Sequence, residues 1–395
     1  MRYLVLIGDG MADEALSEVG GATPLEAAAT PNMDALAREG MGGGYRAIPE
    51  GMATGSDVAI LSILGYRPEE EGLRRGPLEA LGLGLEQGEG ELAFRANLVS
   101  LSPAPSGLVM MDHTGGGLRD EEGASLFGVL SGELQAQGEE ELRLHHGGSY
   151  RGLLFWWPKV EVPPEAQGCS PPHDILGMDI LKHLPPLSWG ARLLRLITDG
   201  QLLLKEHPLN RERLERGELP ANSPWFWGGG KREELTAFRQ RWGVDGALVA
   251  AVPLVKGLGR AAGLEVLSPP GITGRADTSL RAKREAALEA LREKELVIVH
   301  VATPDEEAHE GDLEGKLSAI EAFDRELVGP LVEALQTDFR VLLLTDHPTL
   351  LSTRTHDPSP VPYAIYPARG GRSLLERFRG RDGFSEKLIT KGPLL

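Results

Sequence analysis

Cysteine is almost missing from this chain: Cys169 is the only one, so no intramolecular disulfide can form and a reducing compartment is expected. The ordinary use of such a residue is a packed thiol. Basic side chains are in deficit, 41 against 58 acidic ones for a formal net charge of -17, which argues against nucleic acid or an anionic membrane as a partner. The acidic surface says nothing about self-association. No apolar run approaches the roughly 20 residues of a membrane-spanning helix. The N-terminal run, Tyr3 to Ile7, meets Gly8-Asp9-Gly10 at once and is too short for a signal-peptide core, so a cytoplasmic protein is expected. Internal repeats and low-complexity tails are absent. So is a P-loop, because none of the triplets Gly42 to Gly44, Gly115 to Gly117 and Gly228 to Gly230 continues as Gly-Lys-Ser/Thr. These triplets read as flexible loops or hinges at domain edges.

What the chain does have is a dispersed set of oxygen and imidazole groups, Asp9, Ser56, Asp305, His309, Asp346, His347 and His356. Together they suit a two-metal site with a hydroxyl nucleophile, and so phosphoryl chemistry. Asp9 follows an apolar strand and lies between glycines that allow a sharp turn, although an Asp in that place is commonly a turn residue or helix cap. Thr303-Pro304-Asp305-Glu306 reads as a helix start with Thr303 as N-cap. Asp305 and His309, four apart, then share a helix face and can close on one cation; a surface Asp/His pair is the plain alternative. Asp346 and His347 follow the apolar run Val341 to Thr345, at the carboxyl end of a strand where open α/β sheets place their chemistry. His356 follows in a loop that Pro358 keeps extended. Ser56 precedes the apolar stretch Val58 to Leu64 and lies at a helix N-terminus, where backbone amides stabilise an oxyanion or phosphoryl group. Taken alone, an N-cap serine is the commoner use.

These residues and their surroundings resemble the archaeal-type cofactor-independent phosphoglycerate mutases of the alkaline phosphatase superfamily. The resemblance runs the whole length of the chain. It is carried by Gly8-Asp9-Gly10-Met11, Thr30 through Ala37, Gly55-Ser56-Asp57-Val58-Ala59, Leu64-Gly65-Tyr66, Gly76-Pro77-Leu78-Glu79-Ala80 and Phe94-Arg95-Ala96-Asn97-Leu98. Pro172-His173-Asp174, Pro304-Asp305 through His309-Glu310-Gly311-Asp312, and His356-Asp357-Pro358 complete it. The resemblance implies two divalent ions, one on Asp305, His309 and His356, the other on Asp9, Ser56, Asp346 and His347. Mn is the ion it suggests most often, and the donor chemistry also permits Zn, Mg or Co. It implies interconversion of 3-phosphoglycerate and 2-phosphoglycerate through a phosphoserine on Ser56, without 2,3-bisphosphoglycerate as cofactor. The chain departs from the family pattern at Ile60, where Asn is usual, at Ala53-Thr54, at Pro348-Thr349 and at Arg354. Those departures leave the ligands intact and keep a metal-dependent phosphatase, phosphodiesterase or phosphotransferase acting on another small phosphorylated metabolite as the alternative.

The ends of the chain alternate strand and helix: strand 3–7, helix 31–39 capped by Thr30, helix 57–64, then strand 246–252, helix 280–294, strand 296–301, helix 313–336, strand 340–345 and strand 361–366. That pattern predicts an α/β fold, an alkaline-phosphatase-like core with a largely parallel sheet flanked by helices. From 85 to 220 the runs are shorter, such as Leu92 to Leu98, Leu142 to His146 and Leu193 to Ile197, and they read as an inserted, smaller α+β domain between core segments 1–84 and 221–395. Trp156 to Pro172 is proline-rich and reads as irregular loop. A phosphoserine would hydrolyse unless the acceptor were held and water excluded, so the insertion is expected to act as a substrate cap. Arg95, Asn97 and Arg151 there, with Lys256 from the returning core, are the expected substrate contacts. His173 and Asp174 are the expected acid/base pair.

Overall fold

The computed structural model describes residues 1–105, 107–232, 234–335 and 339–366, and the backbone of 389–390. The chain divides into two compact units, Met1–Gly72 with Glu234–Leu395, and Leu73–Glu233.

The first unit is built on an eight-stranded sheet. Arg2–Gly8 is its central strand and pairs in parallel with Leu296–Val301 on one side and Phe339–Leu344 on the other. Gly246–Val249 and Glu265–Leu267 extend the parallel part, while Val361–Tyr366 runs antiparallel to Phe339–Leu344 and is followed by Met41–Tyr45 and Ile389–Thr390. Successive residues of the central strands are all buried, as in Leu4, Val5, Leu6 and Ile7, because helices cover both faces of a parallel sheet. Leu4, Leu6, Val297, Val299, Val341 and Leu343 share one core with Ile320, Phe323, Leu327 and Leu331. The expected strand 246–252 ends at Val249, and the next helix, Pro253–Ala261, opens with a proline at its first turn.

Register decides where the chemistry falls. Ile7 pairs with His300 and with Leu344, and Gly8 with Val301, so three strands finish level. The loops after Gly8, Val301 and Leu344 therefore meet at one carboxyl edge.

Neither of two expected threonine caps forms. Helix Pro31–Glu39 is as expected, but Thr30 makes no cap to its backbone; the Thr30 hydroxyl donates to Asp34 instead. The buried carboxylate of Asp324 accepts from Asn32 N and Met33 N, at 3.3 and 2.7 Å. Asp324 reaches them from a π turn, Phe323–Val328, which interrupts the expected helix 313–336 into Leu313–Ala322 and Gly329–Ala334; residue 336 lies outside the described residues. Thr303 is the first helical residue rather than the N-cap, and its hydroxyl donates to Arg275 O.

The second unit is antiparallel. Its 13-residue strand Leu92–Ala104 pairs with Gly107–Asp112, Arg151–Trp156 and Ser223–Gly230, and Leu142–Gly148 pairs with Arg151–Trp156. Phe94, Leu98, Phe127, Leu154, Trp156, Trp225 and Phe226 fill the core, and Cys169 is buried among them, its thiol pushed upward by burial and so unreactive. Leu193 to Ile197 lies inside the 19-residue helix Leu187–Lys205. The helix Arg75–Leu83 and the strand Ser223–Gly230 both pack on Leu92–Ala104, which places the unit boundaries at 72/73 and 233/234 rather than at 84/85 and 220/221. Two of the glycine triplets are strand segments, Gly42 to Gly44 in Met41–Tyr45 and Gly228 to Gly230 in Ser223–Gly230, so neither is a hinge loop.

Candidate metal and phosphoryl-transfer site

The carboxyl edge of the first unit gathers all seven of the dispersed residues. Asp9 emerges one residue past the central strand, held by its amide to Val301 O at 2.9 Å. Gly10 follows at φ +62°, and a Cβ there would lie 2.7 Å from the Asp305 backbone, so the turn requires glycine. Its amide donates to Asp346 Oδ1 at 3.2 Å, as does the amide of His347 at 2.9 Å. The two loops are thus tied together through one carboxylate.

Asp305, His309 and His356 form one donor group. Their Nε2 and carboxylate atoms stand 3.4 Å apart for His309 and Asp305, 3.4 Å for His356 and Asp305, and 2.9 Å for the two imidazoles. His309 Nδ1 donates to Arg354 O at 2.8 Å, so the neutral imidazole presents its lone pair at Nε2. Burial alone would raise the Asp305 carboxyl, but its contacts with His309 and His356 outweigh that and hold it well below the usual range. The same contact overcomes burial at His309 and raises it to about 9.

The second group shares an edge with the first. His347 Nε2 lies 3.0 Å from Ser56 Oγ, 3.3 Å from Asp346 Oδ2 and 3.5 Å from Asp9 Oδ1. Thr349 Oγ1 donates to Asp305 Oδ1 at 2.6 Å and so accepts from His347 Nδ1 at 3.2 Å, which turns the His347 lone pair toward Ser56. Ser56 opens the helix Ser56–Ile63, with Gly55 at its N-cap; the dipole end of that helix favours negative charge on the hydroxyl oxygen. Lys316, wholly buried, donates to Asp13 and to the carbonyls of Ala12 and Thr349, pinning the loops after Arg2–Gly8 and Phe339–Leu344 to each other.

A divalent cation fits both groups. Bonds of about 2.1 Å put neighbouring donors roughly 3.0 Å apart in octahedral and about 3.4 Å apart in tetrahedral arrangement, which is the range these donors show. Asp9 Oδ1 and Asp346 Oδ2 are buried without a hydrogen-bond partner among the described residues. Burial, with the neighbouring Asp346 and Asp305 carboxylates adding to it, raises Asp9 well above the ordinary carboxyl range, a cost that a cation relieves. Among the described residues the groups able to hold a metal are Asp305, His309 and His356; Asp9, Asp305 and His347; and Asp9, His300 and Asp346.

The expected substrate contacts fall mainly in the second unit, where Arg95 and Asn97 belong to a buried network. Arg95 and Arg75 both pair with Glu79, and Arg151 adds a third guanidinium to the field at that carboxylate. Arg95 and Arg75 lie 5.4 and 5.3 Å over the Trp227 ring. Asn97 is occupied within the protein, accepting from Arg95 and from Trp227 Nε1 and donating to His113 O. His173 lies edge-on to Trp227 and His113, and its Nε2 is 3.6 Å from Asp174 Oδ1. Three basic groups around one carboxylate leave an anion-attracting cluster. Arg75, Glu79 and Trp227 were not among the expected residues; the pairing of 75 with 79 is an i, i+4 spacing that helix reasoning could have found. Lys256 belongs to the first unit, on the helix Pro253–Ala261.

The family model for the Metalloenzyme superfamily matches residues 1–389. A 2,3-bisphosphoglycerate-independent phosphoglycerate mutase from Methanothrix thermoacetophila is 44% identical over 92% of this chain and 90% of its own length. The PH0037 protein of Pyrococcus horikoshii has a similar structure, with a TM-score of 0.73 and 31% identity over 92% of this chain and 87% of that one. A cofactor-independent phosphoglycerate mutase from Thermoplasma acidophilum gives a TM-score of 0.55 and 28% identity over 92% and 89%.

Proposed function

The chain belongs to the Metalloenzyme superfamily and, within it, to the 2,3-bisphosphoglycerate-independent phosphoglycerate mutases, and from that premise we propose how it interconverts 3-phosphoglycerate and 2-phosphoglycerate: through a phosphoserine on Ser56. It is an isomerase that moves a phosphoryl group within one substrate. The observation that carries the reading is Ser56 Oγ at 3.0 Å from His347 Nε2, on the edge of two adjoining donor groups and at a helix N-terminus.

Divalent cations on these groups, manganese in our assignment, lower the pKa of the Ser56 hydroxyl and neutralise phosphoryl oxygens when bound. Ser56 Oγ then attacks phosphorus in line with the glycerate C3 oxygen. The new Oγ–P bond forms as the bond to that oxygen breaks, and the oxygen takes a proton. We assign that proton to the His173 and Asp174 pair, and hold of the glycerate carboxylate to Arg95 and Arg151, with Lys256 on the phosphoryl group. Asn97 acts by steadying Arg95. The C2 hydroxyl next loses its proton and takes the phosphoryl group back from Ser56, so no water is consumed. No helix of the described residues is long and apolar enough to cross a membrane, and we place the enzyme in the cytoplasm with a free metabolite as substrate. Ile60, which departs from the family pattern, is buried in the helix Ser56–Ile63, 1% exposed.

Ser56→Ala tests this directly. Turnover should be abolished while both cations still bind, and acid-quenched wild-type enzyme should yield a Ser56 phosphopeptide that the variant lacks. Full turnover in Ser56→Ala sinks the phosphoserine route.

A further inference from the structure

His300 is a buried titratable group that takes no part in the steps above. It lies in the strand Leu296–Val301, one residue short of the carboxyl edge and level with Ile7, and none of it is exposed. Among the described residues neither of its ring nitrogens has a hydrogen-bond partner, a rare state for a buried imidazole. Its Nε2 stands 3.1 Å from Asp9 Oδ2, while Asp9 Oδ1 faces His347 on the other side. Asp9, His300 and Asp346 each bring a donor atom within 4.8 Å of the others.

The spacing is the decisive point. A separation of 3.1 Å without hydrogen-bond geometry is what two donors on one small divalent cation show, roughly 3.0 to 3.4 Å. The neighbouring ammonium does not satisfy the ring. Lys283, wholly buried on the helix Leu280–Glu293, donates to the main-chain carbonyl of His300 at 2.7 Å, so it anchors the strand and leaves the imidazole turned to the carboxylates.

We propose that His300 Nε2 is a further ligand of the divalent cation that Asp9 and Asp346 hold. This rests on the two-cation reading above and adds a histidine to its second group. The cation near Ser56 is then held by imidazoles from two different strands, His300 before the edge and His347 after it. A ligand on the rigid central sheet fixes that cation where the loop ligands alone would let it shift.

The test is a crystal structure of the Mn2+-loaded wild-type protein with anomalous scattering, joined to metal counting on His300→Gln and His300→Phe. We expect an anomalous peak within about 2.4 Å of His300 Nε2 and bonded to Asp9. Each variant should keep one tight Mn2+ and bind the second more than about 100-fold more weakly, beyond the 10- to 100-fold range of outer-sphere partners. A peak bonded to Asp9 but more than about 3.5 Å from Nε2, or two tight ions in a folded variant, overturns the inference and leaves the two-cation reading standing. A wild-type protein with no ion at Asp9 overturns both. The wild-type structure decides the matter even where a variant fails to fold.

Discussion

His309 Nδ1 donates to the main-chain carbonyl of Arg354 at 2.8 Å, and Arg354 presents that carbonyl from a left-handed conformation, φ +58°. Only the backbone of residue 354 is used, so its departure from the family's usual Lys leaves the ligand orientation intact. Arg354→Gly should leave Mn2+ affinity within about threefold of wild type, because glycine adopts this conformation without the ~1 kcal/mol penalty of a side chain. His309→Ala should weaken the same site by at least about 100-fold, since it removes a ligand outright. Calorimetric titration of both variants checks this, and an equal loss in Arg354→Gly would show that the arginine side chain matters.

Gly10→Ala should be severe for a small change. The residue needs φ +62°, and its new methyl would meet Thr349 Oγ1 at 2.6 Å and the Asp305 backbone at 2.7 Å. We expect a stability loss of roughly 2–4 kcal/mol together with weakened binding of both cations, because Gly10 N also holds Asp346. Urea denaturation of the metal-free proteins reads the first effect, and unchanged stability would contradict the turn geometry.

Much of this centre is legible in the sequence because strand ends announce themselves. Asp9 between glycines, Asp346-His347 after an apolar run, and the Asp305/His309 spacing on a proline-started helix each carry a local signal, and the structure gathers them at one edge. His300 carries none. In a strand buried on both faces a histidine among valines looks like any core position, and only register with Ile7 shows which neighbours it meets. Thr349 and Lys316 were equally silent, since their roles depend on loops that meet only after the sheet forms. Asp324 illustrates the same limit, because a cap delivered from some 290 residues away leaves no pattern beside the helix it caps.

Glu79 should govern the acid sensitivity of the second unit. Burial works against its ionisation, but Arg95 and Arg75 outweigh that and lower its pKa. A folded value below the unfolded one means the unfolded chain binds more protons, so its stabilisation is present above about pH 4.5 and is lost as the pH falls through the folded value. Glu79→Gln should flatten that dependence and cost about 3–5 kcal/mol at pH 7, because it leaves buried guanidinium groups uncompensated. Five of the six tryptophans lie in this unit, so tryptophan fluorescence during urea unfolding between pH 3.5 and pH 7 follows it. An identical pH slope in the variant would refute the assignment.

Lys316→Met should loosen the metal site without touching a ligand. Its ammonium is shared among Asp13 and the carbonyls of Ala12 and Thr349, and Thr349 orients both His347 and Asp305. Removing it leaves Asp13 buried and unpaired, a loss of about 3–5 kcal/mol, and Mn2+ affinity should fall about 10- to 100-fold, the range for partners of ligands. Wild-type affinity in a folded Lys316→Met protein would contradict this support role.

The central claim is that this two-cation site with Ser56 moves a phosphoryl group within glycerate rather than to water. Phosphorus NMR of the Mn2+-loaded enzyme with 3-phosphoglycerate in 18O-enriched water, followed after metal removal from the products, tests it most directly. The account predicts a 2-phosphoglycerate resonance growing to equilibrium, no inorganic phosphate and no 18O shift on any phosphorus. Accumulating inorganic phosphate carrying 18O would contradict it and make the protein a hydrolase.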